Sequence, residues 1–373
     1  MARYGFQILH KEASSRARSG ELCTSHGTVE TPAFMPVGSQ ATVKGITPEE
    51  LMELGAEMIL CNAYHLYLRP GHDTIQEIGG LHRFMGWPRS ILTDSGGYQI
   101  FSLAPLCKVS DEGVTFQSHL DGGLHHLMPE TVMTIQESLG ADVAMTLDEC
   151  LRYPAAPEAA EASLRRTDAW ARRCRDARRR SDQAVFGIVQ GAHYPDLRAR
   201  AAARIAEIGF DGYALGGLSV GEDKTTMHAA IEAAVAELPE SAPRYLMGVG
   251  TPEDLLEGVS RGIDLFDCVM PTRHGRTGWL FTSFGRVLIK NAQYAKDESP
   301  IDPACSCPVC RKYSRAYLRH LFMAKEMLGV RLNTLHNLHY ILQFMRRMRE
   351  AIGHGRLNEF RTAFYAAREA CQT

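Results

Sequence analysis

The stretch Tyr245–Arg276, YLMGVGTPEDLLEGVSRGIDLFDCVMPTRHGR, contains a complete strand–helix–strand pattern. Two short apolar runs, Tyr245–Val249 and Leu265–Val269, predict buried strands. Between them, the sequence TPED at 251–254 supplies a helix N-cap, a proline in the first turn and two acidic residues, and Gly262 ends the helix. This alternation predicts a βαβ unit with parallel strands.

Short apolar runs alternate with helical patterns along most of the chain. Eight runs are strand candidates: Phe34–Val37, Met58–Cys61, Ile91–Thr93, Val143–Leu147, Val185–Val189, Tyr213–Leu215, Tyr245–Val249 and Leu265–Val269. Eight such units predict an α/β fold of the (β/α)8 TIM-barrel type, with an open doubly wound sheet as the alternative. No Gly-x-Gly-x-x-Gly turn supports a dinucleotide site.

Two segments do not fit the alternation. Residues 108–128, KVSDEGVTFQSHLDGGLHHLM, predict an antiparallel hairpin inserted after the third strand, with its turn at Asp121-Gly122-Gly123. Residues 283–373 contain a cysteine cluster followed by helical patterns at about 311–328, 335–352 and 357–370. We therefore predict a barrel core over 1–282 and a C-terminal helical part over 283–373 that packs on it.

The cysteine cluster has the spacing of a metal site. Cys305, Cys307 and Cys310 place three thiolates within six residues, and a closed tetrahedral zinc site needs a fourth ligand. His320, His336 and His339 are candidates, and spacing alone does not choose among them. The other cysteines are scattered through apolar runs and helices, which is typical of reduced thiols in the cytosol.

Charge and hydropathy bound the class of protein. The chain has 373 residues, 45% of them hydrophobic, and a net charge of -2, so global charge says nothing about a nucleic-acid partner. Arg165–Arg180 contains eight arginines against two aspartates, and Arg346, Arg347 and Arg349 form a second cluster. Such runs are usually solvated helix faces, and a phosphate-binding stripe is the alternative. Met1–His10 is not a secretory signal and no window predicts a membrane span, so we expect a cytoplasmic protein.

Polar residues fall at the carboxyl ends of the predicted strands, where (β/α)8 enzymes build their active sites. Asp94 follows the third strand, Asp148 the fourth and Gln190 the fifth, while Asp267 lies inside the apolar run of the eighth. Any one of these aspartates could be a helix cap or an ion-pair partner. Their coincidence at one end of successive strands favours a common site.

These residue types suit a planar ligand with hydrogen-bonding edges. A carboxylate accepts two N–H bonds from a guanine-like edge, an amide offers a donor and an acceptor, and Tyr98 could stack on a ring. Two carboxylates that flank a glycosidic carbon can act as nucleophile and acid/base. After Pro271, a basic loop with Arg273 and Arg276 flanking Gly275 could approach a polyanion.

Four blocks carry a family resemblance: DSGGYQ at 94–99, DEC at 148–150, GGLSVGE at 216–222 and FDCVMPTR at 266–273. They resemble the signature blocks of tRNA-guanine transglycosylase (queuine tRNA-ribosyltransferase), occur in that family's order and, with the cysteine cluster, span nearly the whole chain. The resemblance implies exchange of the wobble guanine in tRNAs with a G-U-N anticodon for a 7-deazaguanine. The RNA backbone is left uncut.

The resemblance also implies roles for individual residues. Asp267 would be the nucleophile, Asp94 the acid/base, and Cys305, Cys307, Cys310 and His336 the ligands of one structural Zn2+ per subunit. The residues implied to bind the base are Ser95, Gly96, Gly97, Tyr98, Asp148, Cys150, Gln190, Gly216, Gly217, Leu218, Glu222 and Met247. Those implied to bind the anticodon loop are Gly248, Val249, Gly250, Thr251, Pro252, Glu253, Asp254, Thr272, Arg273, His274, Gly275 and Arg276.

Cys150 is a feature of the bacterial branch of the family, which implies 7-aminomethyl-7-deazaguanine as the incoming base. The family resemblance implies guanine as the released base and a homodimer. Leu151, Arg152 and His274 depart from the family's pattern at the pocket rim and the RNA contacts. Three alternative functions are a silent partner subunit, a barrel enzyme acting on a phosphorylated metabolite, and a zinc-dependent RNA-binding module. The first is disfavoured because Asp94 and Asp267 are both present, and the third leaves the converging aspartates unexplained.

Overall fold

The computed structural model describes residues 4–102 and 107–370. The described chain begins with a three-stranded antiparallel sheet that the sequence did not predict: β1 Gly5–Lys11, β2 Arg18–Thr24 and β3 Gly27–Thr31. Leu22 and Val29 of this sheet pack into the same core as Met35, Phe186 and Tyr245 of the barrel interior. The sheet therefore covers the N-terminal end of the barrel.

Eight parallel strands form the barrel: β4 Ala33–Pro36, β5 Met58–Asn62, β6 Ser90–Asp94, β10 Val143–Met145, β11 Ala184–Val189, β12 Gly212–Leu215, β13 Arg244–Leu246 and β14 Leu265–Cys268. Their spatial order is β4-β14-β13-β12-β11-β10-β6-β5. A parallel bridge between Val37 and Leu60 joins the two edge strands, and the Gly38 N–H donates to the Leu60 carbonyl at 2.6 Å. The predicted TIM barrel is confirmed, and the open sheet is wrong.

Helices surround the barrel, and the helix predicted from residues 251–254 begins there, at Pro252. The Thr47 hydroxyl accepts a hydrogen bond from the Glu50 N–H at 3.3 Å while the Glu50 carboxylate accepts from the Thr47 N–H at 3.0 Å, which is a capping box. The helices up to the last barrel strand are α1 Pro48–Glu53, α2 Ala63–Leu68, α3 His72–Ile78, α4 Leu81–Met85, α5 Gly97–Ser102, α6 Pro129–Leu139, α7 Pro157–Asp176, α8 Pro195–Ile208, α9 Lys224–Glu237 and α10 Pro252–Ser260.

The predicted hairpin insertion is present, with one more strand than expected. Strands β7 Cys107–Val109, β8 Val114–Gln117 and β9 Leu124–Leu127 form an antiparallel sheet after β6. The turn between β8 and β9 contains the predicted residues 121–123, where the Gly123 N–H donates to the Asp121 side chain at 3.1 Å.

The basic segment after the last barrel strand is a helix, not the predicted loop. Helix α11 spans Met270–Thr277 and Gly278 ends it in the left-handed conformation. Pro271 lies in the first turn of α11, where no intrahelical N–H is needed, and the strand has already ended at Cys268. Gly275 faces another helix: a Cβ there would lie 2.7 Å from backbone atoms of Thr334. Gly275 thus serves close helix packing.

The C-terminal part follows as a hairpin and three helices. Strands β15 Trp279–Thr282 and β16 Gly285–Leu288 pair, a short 3-10 helix covers Ala292–Lys296, and then come α12 Arg315–Met323, α13 Met327–Gly353 and α14 Leu357–Glu369. The predicted boundary after residue 282 falls in the turn between β15 and β16, and the two-part division stays a prediction.

Two predicted helix limits in the C-terminal part are wrong. The pattern at 311–328 contains a break, because the Ser314 hydroxyl caps α12 at the Tyr317 N–H and Lys325 adopts a left-handed φ of 58°. Helix α13 begins at Met327 and not near residue 335, so His336 lies inside it. Within the described ranges, no helix combines the length and apolar character needed to cross a bilayer.

We predict that Gly275→Ala lowers the free energy of unfolding by about 1–3 kcal/mol, because the added Cβ would force α11 away from α13. Urea denaturation measures the change. Gly353→Ala is the matched control: it lies in α13 with only a His10 side-chain atom at 3.9 Å, so the protein should be unchanged or slightly more stable. Equal stability of the two variants would contradict the packing role.

Candidate active site

A cavity of about 360 Å³ opens at the carboxyl ends of the barrel strands. This is the end at which (β/α)8 enzymes bind substrate. The cavity brings together most of the residues implied to act in catalysis or base binding and two of those implied to bind RNA; they are Asp94, Ser95, Gly97, Tyr98, Asp148, Cys150, Gly216, Gly217, Leu218, Met247 and Asp267, with Gly248 and Arg273. A larger groove lies between the N-terminal sheet and α13 and contains none of the predicted residues.

Asp267 extends into this cavity from β14 with one oxygen fixed. Its Oδ1 accepts a hydrogen bond from the Tyr245 hydroxyl at 2.6 Å and another from the Gly248 N–H at 2.8 Å. Among the described residues, none donates a hydrogen bond to Oδ2. Burial raises the pKa of Asp267 above its ordinary value, and the bonds from Tyr245 and Gly248 oppose that rise. The side chain is thus oriented and keeps one oxygen available.

Asp94 ends β6 and is held by three donors. Its Oδ2 accepts from the Asn62 and Gln99 side-chain amides, the latter at 2.9 Å, and its Oδ1 accepts from the Ala63 N–H at 3.0 Å. Burial is the main reason that the pKa of Asp94 rises to about 7, and the negative charge of Asp267 adds to the rise. Asp94 can therefore gain and lose a proton near neutral pH.

Asp148 lines the cavity and pairs with Gln190, which is buried next to it. The Gln190 Nε2 donates to Asp148 Oδ2 at 2.6 Å, and burial raises the pKa of Asp148 to about 6. Glycines let the surrounding backbone approach: a Cβ on Gly97 would lie 2.3 Å from Asp148 Oδ1, and one on Gly217 would lie 2.4 Å from Gln190 Oε1. Gly97 and Gly217, which the resemblance implies bind the base, thus make room for this pair.

Arg198 was not predicted from the sequence to contribute to the site. It is buried in α8 and donates to the carbonyls of Val189, Gly216 and Gly217 at 3.1, 2.7 and 3.1 Å. Burial lowers the pKa of Arg198 to about 10, so the side chain stays cationic at neutral pH. It fixes the Gly216–Gly217 backbone beside the cavity. A lone arginine in a helical pattern carries no sequence signal for this role.

Glu222 bonds the backbone of a loop beside the cavity, and its implied role at the base stays a prediction. Its two carboxylate oxygens accept from the backbone N–H groups of Ser219 and Val220, the latter at 2.9 Å. It therefore braces the loop that contains Leu218, while Gly96, Gln190 and Glu222 themselves do not line the cavity. Asn62 and Tyr245 were also missed, although the strand-end rule could have found Asn62 at the end of β5.

The cysteine cluster assembles with one of the three candidate histidines. The Sγ atoms of Cys305, Cys307 and Cys310 lie 3.8, 3.5 and 3.3 Å from Nδ1 of His336. The opposite ring nitrogen, Nε2, lies 2.7 Å from the Phe281 carbonyl, which orients the ring toward the thiols. The donor atoms of these four residues all lie within 4.8 Å of one another, so they can hold one metal ion.

Comparison with known proteins assigns the family. The family model described as queuine tRNA-ribosyltransferase matches residues 13–370. The chain belongs to the queuine tRNA-ribosyltransferase family. Relatives that bear this name include proteins of Moorella thermoacetica, 58% identical over 96% of both chains, and of Pelotomaculum thermopropionicum, 57% identical over 96% of this chain and 97% of its own. The protein of Syntrophobacter fumaroxidans is 56% identical over 98% of both chains. The resemblance stated from the sequence is confirmed.

The residues implied by this family to bind RNA divide into two groups. Gly248 and Arg273 are exposed and line the cavity. The others do not line it: Thr251 caps α10 at the Asp254 N–H, 3.1 Å away, and Thr272 and Gly275 are buried in α11. The residues that do not reach the cavity are Val249, Gly250, Thr251, Pro252, Glu253, Asp254, Thr272, His274, Gly275 and Arg276. For these, contact with RNA stays a prediction.

The arginine-rich segment 165–180 is largely engaged within the protein. Arg166 pairs with Glu149, Arg173 with Glu130 at 2.7 Å, and Arg178 with Asp211 at 2.8 Å. These side chains tie α7 and the segment after it to neighbouring elements. The interpretation of this segment as a solvated helix face is therefore incomplete, because several of its guanidinium groups have structural partners.

We predict that Asp94 makes the protein less stable as pH rises from about 4 to about 7. The folded carboxyl keeps its proton up to about pH 7, whereas the unfolded one loses it near its ordinary value of 3.8, so ionisation disfavours the folded state. The free energy of unfolding of Asp94→Asn, measured relative to that of the native protein, should therefore increase by about 2 kcal/mol from pH 5 to pH 8. Urea denaturation at both pH values measures this. Exposed Asp73→Asn is the control, and equal pH dependence of native protein and D94N would refute the buried carboxyl's role.

Proposed function

We propose that this protein exchanges the wobble guanine of G-U-N anticodon tRNAs for 7-aminomethyl-7-deazaguanine through a covalent ribosyl–Asp267 intermediate. The observation that carries the proposal is the pairing of two unlike carboxyl groups on one cavity. Asp267 has one oxygen fixed and one without a donor among the described residues, and Asp94 has a pKa of about 7. Two carboxyl groups in different environments suit nucleophile and acid/base roles.

In the first half of the reaction, Asp267 Oδ2 attacks C1′ of the guanosine ribose. A C1′–oxygen bond forms as the bond from C1′ to the guanine nitrogen breaks. The protonated Asp94 gives its proton to the departing guanine, which leaves neutral. The hydrogen bonds from Tyr245 and Gly248 to Oδ1 keep Oδ2 directed into the cavity throughout.

In the second half, the incoming base takes the place of guanine. The ionised Asp94 removes a proton from the ring nitrogen of this base, the nitrogen attacks C1′, and the bond from C1′ to Asp267 breaks. Two inversions at one carbon retain the configuration of the ribose. Asp94 ends protonated and Asp267 ionised, as they began. The sugar–phosphate backbone is not cut.

The pair Asp148–Gln190 would read the hydrogen-bonding edge of the base, since a carboxylate accepts N–H bonds and an amide supplies both a donor and an acceptor. Backbone groups of Gly216–Leu218, held by Arg198, complete this edge. Tyr98 and Met247 line the same cavity and would cover the two faces of the ring. Cys150 is buried in the wall, where the bacterial branch has it, and this supports the aminomethyl base as substrate.

The tRNA would reach the cavity with its wobble base extruded from the anticodon loop, which costs least in an unpaired loop. Arg273 and Gly248 are exposed where they line the cavity and would contact the adjacent phosphates. We also propose that the protein works in the cytoplasm as a homodimer. Met323, Met327 and Leu328 are exposed around the α12–α13 turn and offer an apolar surface for a second subunit.

We predict that Asp267→Ala abolishes incorporation of radiolabelled guanine into unmodified G-U-N tRNA, with a loss of at least a thousandfold and little change in tRNA affinity. Asp148→Asn is the comparison variant: it keeps the nucleophile, so it should raise the KM for the base more than it lowers kcat. An Asp267→Ala protein that still exchanges base would remove the covalent step. Turnover of small phosphorylated sugars without tRNA would favour the metabolite enzyme instead.

We propose Zn2+ as the ion of the cysteine cluster, because three thiolates and one imidazole form a closed tetrahedral donor set. With four protein ligands the ion would have no open position, so its contribution is structural. It would tie the loop 305–310 to α13 through His336, and His336 in turn bonds the β15 carbonyl of Phe281. This supports the proposed C-terminal zinc-binding part over 283–373.

We predict that His336→Ala removes the bound zinc and lowers the melting temperature by several degrees or more, because the imidazole is one of four ligands. Metal analysis of the purified protein gives zinc per chain. His339→Ala is the matched control: it changes a histidine of the same helix that lies outside the four-residue group, so zinc content should stay near one per chain. Zinc loss in both variants, or in neither, would reject His336 as the fourth ligand.

A further inference from the structure

A second group of metal-type side chains lies at the other end of the barrel. His26 is in the turn between β2 and β3, His82 is in α4, and Asp142 directly precedes β10. Within the described ranges, two groups of histidine, cysteine and acidic residues have donor atoms within 4.8 Å of one another, namely the cysteine cluster and this one. We call it the His26–His82–Asp142 cluster.

The three side chains converge on one buried carboxylate. His26 Nδ1 lies 2.7 Å from Asp142 Oδ1, and His82 Nε2 lies 3.2 Å from Oδ2. The two rings stack with centroids 3.5 Å apart and planes 15° from parallel. The exposed fractions of the side chains are 1% for Asp142, 14% for His82 and 38% for His26. The cluster is thus enclosed on the Asp142 side and open to solvent beside His26.

Two equivalent positions in the barrel show what is special about this one. Asp211 precedes β12 and Asp264 precedes β14, and each, like Asp142, accepts a backbone N–H from the neighbouring strand at 2.7–2.9 Å. Their basic partners are guanidinium groups: Arg178 on Asp211 at 2.8 Å and Arg18 on Asp264 at 2.6 Å.

The difference between the partners is chemical. A guanidinium group can only donate hydrogen bonds, and it stays charged. An imidazole can present an unprotonated nitrogen and is a common metal ligand. Asp211 and Asp264 are therefore neutralised by permanent cations, whereas Asp142 is flanked by two side chains that can bind a metal ion.

We propose that the His26–His82–Asp142 cluster binds a divalent transition-metal ion of the class of Zn2+, Co2+ or Ni2+. Imidazole and carboxylate donors suit these ions. The ion takes the place of the two hydrogen bonds between rings and carboxylate. Each ring then carries its proton on the nitrogen remote from Asp142, and the stacked rings tilt apart so that His26 Nδ1 and His82 Nε2 point at the ion.

Three protein ligands leave the remaining coordination to water on the exposed side of His26. Arg180 is the neighbouring cation. Its repulsion of a bound ion is reduced because its guanidinium group pairs with Asp182 at 2.8 Å. The cluster joins the N-terminal sheet, α4 and the start of β10. An ion bound there links three elements that the chain brings together from distant positions, so binding stabilises the folded state.

The test uses untagged protein with its cysteine cluster loaded with zinc, and CoCl2 as the probe. After equilibration with excess CoCl2 and removal of free ion, metal analysis should give one zinc and one additional cobalt per chain. Visible absorption should show cobalt bound by nitrogen and oxygen, without the charge-transfer bands of cobalt thiolates. The melting temperature of the native protein should rise with CoCl2 concentration.

The variants His26→Gln and His82→Gln decide the assignment. Glutamine can still donate to Asp142, so the structural contact is kept while the imidazole ligand is lost. Each variant should bind the additional cobalt at least tenfold more weakly and lose the melting-temperature rise. His354→Gln is the control: it changes an exposed histidine remote in the chain from the cluster, so this variant should bind cobalt as the native protein does. No additional cobalt in the native protein, or native-like cobalt binding by both variants, would overturn the proposal.

Discussion

Closure of the parallel barrel is the constraint on which the rest of the structure depends. The bridge between Val37 and Leu60 brings the first and second barrel strands together and turns an eight-stranded sheet into a ring. Because all the strands run the same way, their carboxyl ends meet at one mouth. Residues as far apart in the chain as Asp94 and Asp267 then line one cavity.

Burial at that mouth sets the chemistry of the carboxyl groups. Asp94 and Asp148 are both removed from water, which raises the pKa of Asp94 to about 7 and that of Asp148 to about 6. Their hydrogen-bond donors are neutral groups, which hold the carboxyl groups in place without replacing the lost solvation. Asp267 keeps one oxygen fixed by Tyr245 and Gly248. Neutral donors thus position the three aspartates and leave at least one of them able to exchange a proton near neutral pH.

The opposite end of the barrel is organised by the same geometry with different partners. Asp142, Asp211 and Asp264 bond the backbone of neighbouring strands and fix the positions at which their own strands begin. Arg18 and Arg178 neutralise two of them, and two histidines surround the third. One end of the barrel therefore concentrates carboxyl groups around a cavity, while the other distributes them around the rim as structural anchors.

The sequence by itself determined the barrel, the hairpin insertion, the three thiols and the aspartates at the strand ends, because these depend on local periodicity, caps and spacing. Spacing alone did not determine the fourth member of the cysteine cluster: it left His320, His336 and His339 open, the family resemblance pointed to His336, and the path of α13 brings that residue to the thiols. Nor did it show that the segment after Asp267 is a helix, that Gly275 serves helix packing, or that Arg198 holds the Gly216–Gly217 backbone. Each of these depends on contacts between residues remote in the chain, which periodicity does not encode.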